Sequence, residues 1–297
     1  MTRTLVRISQ QLHTYTRAQQ SLTSYKSIQR TKMPTSSPAN SNPNPKHHPA
    51  TPDFLTHLKS LYPTPAVAEA TGLSWQQNPW YIGAAVAFNA ANEPSAVPVV
   101  FKRALDDLEA ELGATTVSPS EAHEQRLLLA RKVREALFKS GLLCGYSRVI
   151  NSLVALSEVM PEELKDKEVL RDTTRSLEQC AKDGRVLYEK LYGKSADHVQ
   201  EVLDAAYPDM GWFSNTLAYG ITYGRTDLLS ELETCYVIVT SNIAMDTPRQ
   251  IGWHLDNTRR TGATLEQAQA IREIAIQASK AAGVKWKEPI PQAKEAL

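Results

Sequence analysis

Apolar residues recur along most of this chain at three- and four-residue spacing, and the strict alternation of a half-buried strand is scarce from Asp53 onward. The pattern predicts helices over 53–61, 64–71, 78–91, 95–112, 119–140, 145–158, 161–192, 196–206, 210–223, 228–245, 248–261 and 265–282. The fold class expected is therefore all-α. Local chemistry marks several ends. Ser118-Pro119 with Glu121 forms a capping box, Thr247 with Gln250 repeats it, and Thr264 with Gln267 does so again. Gly113, Gly193, Gly262 and Gly283 stand where helices should stop. The last two helices then form an antiparallel hairpin. Ala268, Ile271, Ala275 and Ala278 give the final helix a narrow face of small residues, suited to close packing in the core or to contact between copies in a homo-oligomer.

The first 52 residues read differently. Residues 1–33 are rich in Arg, Ser and Thr and lack acids. At 100° per residue, Leu5, Ile8, Leu12 and Tyr15 fall within an arc of about 80°, opposite Arg3, Arg7 and Arg17. That composition predicts a mitochondrial transit peptide. Residues 34–52, rich in Pro, Ser and Asn, predict a disordered linker carrying the solvated pair His47-His48, and residues 53–297 predict one helical domain. The C-terminal KEAL is not the peroxisomal tripeptide.

Charge refines this division. The formal net charge is +1, yet seven Lys or Arg and no acid precede Asp53, leaving 26 basic against 32 acidic residues and a net −6 in the body. Such a body offers no electrostatic case for nucleic acid. No apolar run approaches the roughly 20 residues of a membrane span. Cys144, Cys180 and Cys235 are far apart, with no C-x-x-C and no metal-like pairing with histidine, so neither a disulfide framework nor a metal site is expected. No glycine-rich phosphate loop or nucleophile elbow appears, and no cofactor is expected.

The stretches YGITYGRTDLL and QIGWHLDNTRRTGAT carry Gly220, Arg225 and Leu228, then Gln250, His254, Gly262, Ala263 and Thr264. On these residues the C-terminal third resembles the carboxymuconolactone decarboxylase family, whose helical fold is shared with the alkylhydroperoxidase D-like proteins. A fainter echo in GYSRVINSL, at Gly145, Asn151 and Leu153, points to an internal duplication or a permuted arrangement of one.

The resemblance implies a lyase acting on a small organic acid or lactone. His254 would protonate the carbanion left by decarboxylation, Glu233 would orient it, Trp253 and Tyr219 would wall an apolar pocket, and Arg225 would hold a second anionic group of the substrate. Two departures qualify it. The positions where the fold's thiol peroxidases carry their cysteines are Thr247 and Gln250, and Glu233 lies 21 residues before His254, where an ungapped match puts Thr234 at the site. Two other readings stand beside the decarboxylase: a peroxide-detoxifying relative, and a non-catalytic oligomeric binding or assembly protein in which His254 only bonds a neighbouring helix.

Overall fold

The computed structural model describes residues 48–63 and 73–295. The predicted transit peptide, most of the predicted linker and the helix expected over 64–71 lie outside the described residues. Among those residues every regular element is a helix and none is a strand, as the all-α expectation requires.

The helices are α1 (Pro52–Leu61), α2 (Ser74–Gln77), α3 (Trp80–Ala90), α4 (Ala96–Gly113), α5 (Pro119–Cys144), α6 (Tyr146–Val159), α7 (Leu177–Tyr192), α8 (Ala196–Ala206), α9 (Pro208–Phe213), a π-helix (Ser214–Tyr223), α10 (Glu231–Ala244), α11 (Pro248–Arg260) and α12 (Leu265–Ala281). The core begins slightly ahead of the expected boundary. Ala50 is buried, and the Thr51 hydroxyl caps α1 by accepting from the Phe54 N–H.

Two helices form the centre. All eleven residues of α3 are buried, and α10 is buried from Glu233 to Ala244. A helix apolar on all sides must be surrounded, and α4, α5, α10 and α12 pack around α3. Gly83 of α3 lies against Ile271 and Ile274 of α12 so closely that a Cβ there would meet their side chains. The small-residue face of α12 is fully buried. It serves the core and leaves no surface for the contact between copies that the sequence also allowed.

The expected helix over 161–192 is broken. Only a short 3-10 turn, Glu162–Leu164, precedes an extended segment, and α7 starts at Leu177. The Ser176 hydroxyl accepts from the Gln179 N–H at 3.1 Å, and Asp172 Oδ1 accepts from the Thr174 N–H at 2.9 Å; these side chains give the backbone a turn and a cap in place of helix. The capping boxes at Ser118 and Thr264 form as expected. The one at Thr247 does not, because its hydroxyl donates to the Asn242 carboxamide oxygen at 2.7 Å instead.

Against α7 runs the π-helix, backbone to backbone. A Cβ on Gly184 would strike the Asn215 carbonyl and the Gly220 amide, and one on Gly220 would strike the Cys180 carbonyl. Gly145 does other work, ending α5 with φ +99°. The two glycines that suggested a duplication thus fill unrelated roles.

Candidate functional site

His254 sits on the inner face of α11 and meets α7. Its Nε2 is 3.4 Å from the Tyr192 hydroxyl, and its Nδ1 is 3.2 Å from the Asn257 carboxamide nitrogen. A carboxamide nitrogen only donates, so Nδ1 accepts and the neutral ring carries its proton on Nε2, facing the tyrosine oxygen. The Tyr219 hydroxyl donates to that same oxygen at 3.2 Å. Tyr219 meets Tyr188, Tyr192 and Tyr223 edge to face, Tyr188 and Tyr192 lie tilted at 31° to one another, and Cys235 belongs to the same buried cluster.

Burial fixes the chemistry of the cluster. It pushes the His254 pKa down to about 3 and the Tyr192 hydroxyl up to about 12, so both groups are neutral across the physiological range. The Cys235 thiol is also pushed up to about 12, which makes it a poor source of thiolate. All three cysteines are free and buried.

Glu233 is not brought to His254. It is the third residue of a capping box that the sequence reading passed over: its carboxylate accepts from the Ser230 N–H at 3.0 Å, and the Ser230 hydroxyl accepts from the Glu233 N–H at 3.2 Å. Its other carboxylate oxygen meets Lys132 Nζ at 2.5 Å. The spacing S-E-L-E at 230–233 was the available signal. Tyr219 belongs to the tyrosine cluster, and Trp253 packs at its edge. The cavities described next are lined by neither residue and not by His254.

Arg225 is placed otherwise. It lines two adjoining cavities of about 330 and 600 Å³, which share Val169, Leu170, Arg171 and Arg225 in their walls. Several parts of the chain build this cleft. The outer side of α5 supplies Arg131, Arg134 and Phe138, α6 supplies Leu153, the 165–176 segment covers one side, and the turn after the π-helix carries Arg225, Asp227 and Leu228. Below that turn lies Lys139, fully buried, whose ammonium donates to the carbonyls of Tyr223 (3.2 Å) and Arg225 (2.7 Å) and to the Thr234 hydroxyl (2.8 Å). Burial lowers its pKa to about 8. Lys139 therefore holds the turn that carries Arg225.

Each guanidinium of the cleft has a carboxylate, but the pairs are unequal. Arg131 and Arg134 share the single carboxylate of Asp166 at 2.7 and 2.6 Å. Arg171 grips the buried Glu135 with two bonds and stacks over the Phe138 ring at 4.1 Å. Among the described residues Arg225 has only Asp227, two residues along its own turn and mostly exposed, bound through Nε and Nη2 at 3.0 and 3.1 Å. The pair thus joins a largely buried guanidinium, 15% exposed, to a carboxylate that stands mostly in water. Among the described residues no three metal-binding side chains cluster, and no helix is long and apolar enough to cross a membrane.

The chain is 30% identical over 236 residues to Peroxisomal protein 2 of Schizosaccharomyces pombe, covering 80% of this chain and 99% of that protein. It is 25% identical over 260 residues to Peroxisomal protein 2 of Saccharomyces cerevisiae, covering 72% of this chain and 92% of that protein. No family model matches the chain, and no solved structure matches it. The likeness to carboxymuconolactone decarboxylases thus stands on the Gly220–Thr264 residues alone. The names of both relatives contradict the mitochondrial expectation, and they point away from the decarboxylase and peroxide-detoxifying readings. The basic, acid-poor leader was read by composition, which describes an amphipathic surface and does not identify the receptor that recognises it.

Proposed function

The chain belongs to the family of the yeast proteins named Peroxisomal protein 2, and from that premise we propose that it is a peroxisomal protein that binds a small organic anion in the cleft around Arg225. The observation that carries the reading is the state of Arg225: it lines two adjoining cavities, and among the described residues its guanidinium is engaged by one carboxylate, the exposed Asp227 of its own turn. A ligand carboxylate can replace Asp227 at the same fork, because the carboxylate it displaces returns to water at little cost.

The rest of the wall sets the ligand's shape. Phe138, Leu153, Leu170 and Leu228 give the cleft an apolar side beside its arginines. A carboxylate with a short hydrocarbon portion fits this combination, and the volume suits a ligand of modest size. The test is a thermal-shift series with straight-chain carboxylates from acetate to octanoate on the full chain. Stabilisation should grow with chain length and vanish in Arg225→Gln, while His254→Gln should retain it. A series with no stabilisation, or one unchanged in Arg225→Gln, overturns the reading.

A further inference from the structure

The helices α5 and α6 form an antiparallel pair whose outer face is apolar and, among the described residues, unpartnered. Their register follows from three contacts. Gly141 abuts Val149, Phe138 and Leu153 line the same cavity, and Arg134 Nη1 reaches Met160 Sδ at 3.1 Å. On the outer side, Phe138 and Leu142 of α5 lie beside Tyr146, Ile150 and Val154 of α6, all exposed. Spacing of four residues keeps each row on one face.

From these observations we infer that this face is where a second copy of the chain docks, with the same α5–α6 surface contributed by each copy around a two-fold axis.

Area is the first argument. Tyr146 is 79% exposed and Val154 53%, and Val169 and Leu170 extend the patch across the 165–176 segment at 75% and 40%. At about 150 Å² for each free side chain, the lower end of the aromatic range, the seven residues present on the order of 550 Å². That lies near the top of the ~300–600 Å² range for the largest patch on a monomer, and it approaches the ~800 Å² per partner of a stable interface.

Charge is the second. Between Phe138 and Ser157 the charged residues are Lys139 and Arg148, and both are turned inward onto backbone carbonyls; Arg148 Nη1 donates to the Ala90 carbonyl at 2.5 Å. The exposed positions between them are apolar or uncharged, the composition of an interface centre. A surface built for lipid presents free Lys and Arg along its flanks, whereas Arg131, Arg134 and Arg171 beside this one are each held by a carboxylate, Asp166 or Glu135. The other exposed apolar group, with Val186 and Trp212, is interrupted by Glu178, Lys182 and Arg185 and has no such centre.

Sedimentation velocity of the full chain from 1 to 50 µM, with neutral vesicle flotation alongside, tests the inference. The wild type should sediment at twice the 32.9 kDa chain mass or a multiple of it. Ile150→Glu and Tyr146→Ser, each with an unchanged circular-dichroism melt, should sediment at half the wild-type mass or less, and Val186→Glu should match the wild type. Tyr146→Ser keeps the test open if Ile150→Glu misfolds. A wild-type monomer, an assembly that survives both α6 substitutions, or a monomer that floats with vesicles overturns it. The patch shares Phe138, Val169 and Leu170 with the Arg225 cleft, but the substituted Tyr146 and Ile150 line neither cavity and no reading needs a ligand, so the two proposals fail separately.

Discussion

His254 and Tyr192 meet across the contact between α11 and α7, Nε2 3.4 Å from the hydroxyl, inside a closed cluster of tyrosines. The geometry makes His254 a neutral link between two helices, and the cost of charging it should appear in the stability of the protein. Its pKa rises from about 3 in the fold to the ordinary 6.5 when the chain unfolds. Between those values the unfolded chain holds more protons, so acid favours unfolding. This group should cost the fold about 1.4 kcal/mol per unit as pH falls below 6.5. Urea titrations at pH 7, 6, 5 and 4 should show His254→Gln less acid-sensitive than the wild type. Parallel curves would show that His254 is not buried neutral.

Lys139 should act at the other end of the scale. With a folded pKa of about 8 against an ordinary 10.5, the unfolded chain again holds more protons between these values, and stability from this group rises with pH there. Above pH 10 the buried tyrosines, raised above their ordinary 10.0, oppose it. Lys139→Met should lose the rise between pH 8 and 10. At pH 7 it should be destabilised by about 1–3 kcal/mol, because the Tyr223 and Arg225 carbonyls are left without their donor.

At the crossing of α7 and the π-helix there is no room for a methyl group. Gly184→Ala and Gly220→Ala should each cost about 3 kcal/mol by forcing two backbones apart, whereas Gly252→Ala, whose Cβ meets nothing, should be nearly neutral. Denaturant midpoints of the three variants decide this. Equal midpoints would remove the crossing from the account.

The cysteines should be inert. Burial closes all three to reagents, and it raises the thiol pKa of Cys144 and Cys235. A thiol reagent at pH 8 should label none of them on the timescale of minutes in the native protein and all three in guanidinium. Rapid native labelling of one thiol would contradict the packing.

The helical class, most helix positions and the boxes at Ser118 and Thr264 were legible in the sequence because they rest on local spacing. The break at 165–176 was not, since Ser176 and Asp172 redirect the backbone through side-chain bonds that apolar periodicity does not register. At the candidate site the sequence singled out Arg225, and the fold places it at a cleft. It paired Glu233 with His254 by their separation along the chain. The fold instead gives Glu233 to Ser230 and Lys132, because the carboxylate stands at the first turn of α10 where unpaired amides attract it. Lys139 and Arg171 escaped notice because only the tertiary fold brings them to the turn and to Glu135.

The most direct measurement of the central claim is a calorimetric titration of octanoate into the full-length wild type and Arg225→Gln at matched ionic strength. The expected result is saturable binding to the wild type and at least tenfold weaker binding to the variant, with equal melting temperatures for the unliganded proteins. Equal affinity in the two proteins, or no saturable heat in the wild type, would contradict an anion site at Arg225.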